Sequence, residues 1–152
     1  MRAPALICDT GALIDYLVAS APDHGAFRQA IDQARTRYLP GLVLVEVDYF
    51  LRRERAAMEG LMMDLLRGAF TYAPPTLPLL ARAMEIDRLY GRLGIGLVDA
   101  SIVALAEELG ITRLATRDVR HFSTVKLRDG RAFDLVVRPT RPDRARGTRP
   151  RR

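Results

Sequence analysis

Short apolar runs alternate along this chain with segments whose apolar residues recur at helical spacing, and that alternation constrains the fold most. The first run, "ALIC", ends at Asp9, Thr10 and Gly11, after which Leu13, Ile14, Leu17 and Val18 follow a helical period. A brief run of this kind is what a strand buried on both faces requires. "RYLP", "FTYAP" and "ITRLAT" are further strand candidates. Between them lie "APDHGAFRQAIDQAR", with Pro22 and Asp23 in its first turn, and a helical hairpin broken near Arg55, "GLVLVEVDYFLRRE" then "RAAMEGLMMDLLRGA". "TLPLLARAMEIDRLYGRLG" places Leu79, Ala83, Ile86 and Tyr90 on one face, and "VDASIVALAEELG" stops at Gly110. "RDVRHF" reads as a turn with a short helical piece, and "TVKLRDGRAFDLVV" as a hairpin around Asp129-Gly130. The pattern predicts an α/β fold, a three-layer α/β/α sandwich around a mostly parallel central sheet.

The 152 residues suit a single domain, and the net charge of +6 is unevenly spread. Residues 138–152, "RPTRPDRARGTRPRR", hold seven arginines against one aspartate, which leaves the rest of the chain neutral. The division expected is a folded domain over 1–137 and a disordered Arg/Pro-rich tail over 138–152. Such a tail can raise nonspecific affinity for phosphate backbones, or be a dispensable extension. No apolar run approaches the length of a membrane span, and no signal peptide is visible at the N-terminus. Cys8, the one cysteine, reads as a small buried hydrophobe in a reducing compartment, so the expected location is cytoplasmic.

Four acidic residues stand out. Asp9 closes the first strand candidate and could simply cap the helix that follows. The carboxyl end of such a strand is also where open α/β sheets bind ligands. Glu46 interrupts "LVLVEV", a stretch apolar all round and therefore expected to be buried, where a lone carboxylate costs several kcal/mol. An internal ion pair with an arginine would also account for it. Asp99 precedes Ile102 and Val103 by three and four positions, over the buried side of its helix start, where capping is again open. Asp118, at the end of "RLATRD", repeats the arrangement at Asp9, although an aspartate in a polar turn needs no explanation. Asp15 and Asp48 read as solvent-facing charge. Carboxylates gathered at one end of a sheet raise one another's pKa unless a cation joins them. An all-oxygen set suits Mg2+ or Mn2+, and neither His24 nor His121 has the spacing of a zinc site.

The order of these acids, with "CDTGAL", "VEVDYFL", "GIGLVDASIVALAEELG" and "LATRDVRHF", resembles the PIN-domain ribonucleases, and within them the VapC-type toxins of toxin–antitoxin pairs. The resemblance covers about residues 5–137. It implies an Mg2+-dependent (or Mn2+-dependent) endoribonuclease that cleaves tRNA or ribosomal RNA. Asp9 and Asp99 would be principal metal ligands, Glu46 a ligand or the residue orienting the attacking water, and Asp118 a ligand, directly or through water. Thr10 and Thr116 are candidates for positioning water or a phosphate. Arg117 and His121 are candidates for RNA-phosphate contact, although plain surface charge accounts for either. The resemblance further implies a cognate antitoxin as partner and a homodimer.

Two other classes compete with this one. A phosphoacceptor receiver domain needs a late lysine in the right place and an acidic pair after its first strand; Lys126 lies in the hairpin and Asp9 has no acidic neighbour. A noncatalytic RNA- or partner-binding module with structural carboxylates is the stronger alternative. The hairpin carries Val43, Val47, Phe50, Leu51, Leu61, Met62, Leu65 and Leu66, more than one helical stripe uses. About half should complete the core, leaving a groove for an amphipathic partner segment.

Overall fold

The computed structural model describes residues 4–140, so most of the expected tail, 141–152, lies outside the described residues. The elements run β1 (Leu6–Cys8), α1 (Thr10–Leu17), α2 (His24–Gln33), β2 (Arg37–Pro40), α3 (Gly41–Phe50), α4 (Arg55–Leu66), β3 (Thr71–Ala73), α5 (Leu77–Leu89), α6 (Gly96–Leu109), β4 (Arg113–Ala115), α7 (Val119–Phe122) and β5 (Asp134–Leu135). The sheet order is β3-β2-β1-β4-β5, and every pairing in it is parallel. The expected α/β architecture is present.

The chain steps outward from β1 through β2 to β3, then returns to the other side of β1 as β4. Right-handed crossovers require that reversal to put α1 and α2 on one face and α5 and α6 on the other. α1 packs on α2 and α3, α5 on α6, and α3 touches α6 as well. Leu6, Ile7, Leu13, Phe27, Ile31, Leu39, Ile102, Leu114 and Phe122 form a fully buried core around the central strands. Cys8 is part of it, and burial pushes its thiol up to about 12, which leaves it inert.

The second half of the expected 124–137 hairpin departs from prediction. Gly130 turns at φ 86°, and a single antiparallel bridge joins Lys126 to Ala132. Beyond it the chain pairs Asp134 and Leu135 in parallel with Arg113 and Leu114. The two-residue β5 thereby adds a fifth strand at the sheet edge, and a ribbon of two strands alone is marginal in water. The break near Arg55 and the left-handed cap at Gly110, φ 65°, fall where the sequence placed them.

α3 is only partly buried. Val43 and Val47 face the core, while Val45 and Tyr49 are 70% and 60% exposed and Glu46 is half-buried. Apolar residues all round this helix therefore mean two apolar faces, one inward and one outward. Asp48 is solvent-accessible as expected and pairs with Arg55 at 2.8 Å.

Asp15 and Arg117 correct the sequence reading. Neither is surface charge. The Arg117 guanidinium is buried in an ion pair with Asp15 and, at 2.7 Å, with Asp23. Just past the end of β4 the chain bends at Arg117, and the Val119 amide donates to the Arg117 carbonyl at 3.1 Å; Thr116 bonds to Asp9 while Arg117 bonds to Asp15 and Asp23. The Arg117 methylenes lie over Gly11, where an added Cβ would meet them at 3.1 to 3.2 Å. Asp23 also accepts the Thr140 amide at 3.1 Å, which ties the last described residue to the start of α2. Burial raises Asp15 above its usual range more than Arg117 lowers it. Burial acts on Asp23 in the same direction, but the bonds from Arg117 and Thr140 outweigh it and leave that carboxyl lowered.

Arg117→Ala would strand two buried carboxylates, and denaturant unfolding should register a loss of about 3–5 kcal/mol. A loss under about 1 kcal/mol, the range of surface pairs, would reduce the cluster to an ordinary ion pair. Acid titration offers a second check. The lowered Asp23 contributes stability that is complete above its unfolded value near 4 and disappears as pH falls through its folded value. Asp23→Asn should flatten this limb of the stability curve. An unchanged acid limb would place the acid-sensitive group elsewhere.

Candidate metal centre at the strand ends

β1 and β4 are neighbours in register, with Cys8 opposite Ala115, so both strands end at the same level. The residues that follow are Asp9 and Thr116. The Asp9 amide donates to the Ala115 carbonyl at 2.9 Å, the last rung of the ladder. Above it the side chains take over. Thr116 Oγ1 donates to Asp9 Oδ2 at 2.7 Å and accepts from the Asp118 amide at 2.9 Å. Asp9 Oδ1 accepts the Thr10 amide at 2.7 Å. Asp9 is thus the N-cap of α1 and a member of this cluster at once; the two readings of it are compatible.

Asp118 caps α7 in the same way. Its Oδ1 accepts the His121 amide at 3.1 Å, one turn on. That turn folds the imidazole back, with Nδ1 2.7 Å from Asp118 Oδ2 and 3.1 Å from Asp99 Oδ2. Asp99 arrives from the first turn of α6, entered through Gly94 and Gly96 at φ 65° and 79°, a backbone that favours glycine. A continuous path therefore runs Asp9, Thr116, Asp118, His121, Asp99. Three of the four expected acids come together in it, and all three are at least nine-tenths buried.

Glu46 is positioned differently. It sits on α3 beside buried Val47, on a helix that packs against both α1 and α6. Thr10 and Thr116 are buried and both bond to Asp9, Thr10 through its amide and Thr116 through its hydroxyl. Arg117 is engaged elsewhere, its guanidinium held by Asp15 and Asp23. His121 was expected only as a possible phosphate contact, and instead bridges two carboxylates. The signal in the sequence was the three-residue spacing from Asp118, which one helical turn converts into contact.

The residues fit a divalent cation. One ligand atom from each of Asp99, Asp118 and His121 lies within 4.8 Å of the others. Buried carboxylates this close repel unless positive charge or donors compensate them. The hydroxyl of Thr10, next to Asp9, is buried and has no hydrogen-bond partner among the described residues, an atom that a water or phosphate oxygen at the site would satisfy.

Residues 6–127 match the family described as the PIN domain. A ribonuclease of Mycobacterium tuberculosis, VapC26, is 31% identical over 134 residues, spanning 86% of this chain and 99% of that protein. The crystal structure of M. tuberculosis VapC20, described as a sarcin–ricin loop cleaving toxin, superposes with a TM-score of 0.68 at 20% identity, over 76% of this chain and 91% of that one. VapBC2 from Rickettsia felis, solved with a promoter DNA fragment, gives a TM-score of 0.60 at 16% identity, over 80% of this chain and 92% of that one. With the strand-end acids in the expected order, the match over most of the chain makes this protein a member of the PIN-domain family, of the VapC-type ribonuclease kind.

Proposed function

We propose that the protein is a metal-dependent endoribonuclease and the toxin of a toxin–antitoxin pair, acting in the cytoplasm on a tRNA or ribosomal RNA. The observation that carries this reading is the buried path joining Asp9, Asp118 and Asp99 at the switch point of the sheet. Open α/β sheets bind their ligands at that place. Asp9, Asp99 and Asp118 would hold Mg2+ or Mn2+, with Glu46 as a further ligand or the residue that orients the attacking water. Bound there, the ion lowers the pKa of a water and neutralises charge on the phosphoryl oxygens. Thr116 keeps Asp9 and Asp118 in fixed relation through its single hydroxyl. The Thr10 hydroxyl is placed to hold the attacking water or a phosphate oxygen. Burial of the carboxylates keeps bulk water from competing for them, which strengthens every charge interaction in the site.

The partner surface is the outer face of α3 and α4. Val45, Tyr49, Met63 and Leu66 are exposed there, while Val43, Val47, Leu51 and Leu61 complete the core. Of the eight apolar residues singled out in the hairpin sequence, Val43, Val47, Leu51 and Leu61 are buried, Leu65 is partly buried, and Phe50, Met62 and Leu66 are exposed. An amphipathic segment of an antitoxin would bury the exposed set, and a homodimer is proposed as the resting assembly.

RNA cleavage by the purified protein should require Mg2+ or Mn2+, stop with chelator, and fall to background in Asp9→Asn with the fold retained. Cleavage in chelator would support a binding module contaminated by another nuclease, and would overturn the metal centre. Metal bound to the folded state should also raise the melting temperature, by the equivalent of about 2.7 kcal/mol at a hundredfold excess over Kd. For the partner surface, Leu66→Glu should preserve cleavage and abolish inhibition by a co-expressed antitoxin. Retained inhibition would place the antitoxin on another face.

A further inference from the structure

The position of His121 carries a conclusion about the metal that the carboxylates alone do not. In six-coordinate geometry with bonds of about 2.1 Å, adjacent ligand atoms lie about 3.0 Å apart. His121 Nδ1 stands 2.7 Å from Asp118 Oδ2 and 3.1 Å from Asp99 Oδ2, close to two edges of such a polyhedron. The placement does not depend on a flexible reach. Asp118 caps α7 through the His121 amide, and Phe122, the next residue, is fully buried, so the ring is pinned by backbone and core together. The ring is itself mostly buried.

We propose that His121 Nδ1 is a ligand of the metal at this site, and that it shifts the preference of the site from Mg2+ towards Mn2+. The inference rests on the carboxylates being a metal centre. The same nitrogen has two uses. Without metal, an Nδ1–H donates to the two carboxylates and offsets their repulsion. With metal, the proton resides on Nε2 and the Nδ1 lone pair faces the ion. Mg2+ is a hard cation that strongly prefers oxygen and keeps its waters, whereas Mn2+ accepts imidazole nitrogen more readily. Replacing one oxygen position by nitrogen therefore costs Mg2+ more than Mn2+. An all-aspartate set would show no such bias.

His121→Gln is the discriminating variant, because its amide still donates to Asp99 and Asp118 but offers no imidazole nitrogen. Pulsed electron paramagnetic resonance of the Mn2+-loaded wild type should reveal coupling to a histidine nitrogen, and His121→Gln should lose it. Titration calorimetry should find the Mn2+-to-Mg2+ affinity ratio reduced roughly tenfold or more in the variant, the scale on which ligand-shell changes act. A melting curve of the metal-free variant checks that the fold survives. Mn2+ bound without nitrogen coupling, or an unchanged ratio in His121→Gln, would overturn the role of His121 and leave the carboxylate metal site standing. Wild-type protein that binds no Mn2+ at all would remove the metal centre and this inference together.

Discussion

The parallel pairing of β1 with β4 is the constraint on which the rest of this molecule depends. β1 is the central strand, and the chain leaves it in one direction and comes back on its other side. The switch point at that reversal lies beside the carboxyl ends of both strands. Register decides what enters it. With Cys8 opposite Ala115, Asp9 and Thr116 stand together above the last backbone rung. A slip of one residue would send Asp9 to the other face of the sheet and bury a charge among apolar side chains. The apolar residues of both strands oppose that slip, so the packing of the core also sets the geometry of the site.

The arrangement carries a cost that the surrounding structure offsets. Asp9, Asp99 and Asp118 are almost wholly buried, and buried carboxylates require donors or a cation beside them. Donors meet them: the Thr10 amide, the Thr116 hydroxyl, the His121 amide and its ring. Behind the site, Arg117 neutralises a second pair of buried acids, Asp15 and Asp23, and lies over the Asp9–Gly11 turn. A single tripeptide, Thr116-Arg117-Asp118, therefore faces the site with its outer members and the structural ion pair with its middle one. The bend at Arg117 separates stability from the candidate chemistry within three residues.

α3 links the interior to the outer surface. Its inward face holds Val43 and Val47 in the core, its outward face presents Val45 and Tyr49, and Glu46 lies between these faces. A partner seated on the outer face of α3 and α4 would thus lie on the helix that carries Glu46.

Much of this was legible in the chain itself. The order of strands and helices as far as β4, the cap at Gly110 and the buried, inert Cys8 follow from local spacing and composition, and the strand–helix alternation itself implies a mostly parallel sheet. Of the four acidic positions only Glu46 breaks its local pattern outright; Asp9, Asp99 and Asp118 each had a local reading as a cap or turn residue and gained weight from their order together. What remained hidden depends on contacts distant in sequence. Asp15 has the helical position of a solvent-facing residue, and only the approach of Arg117, 102 residues on, makes it a buried ion-pair partner. His121 looked like surface charge until α6 brought Asp99 to it. The outward half of α3 could not be told from the inward half, since valine has no direction in a one-dimensional pattern. Local periodicity determined the elements and the candidate acids; the sheet register and the helix packing decided which charges met, because Coulomb and hydrogen-bond partners are set by distance in space.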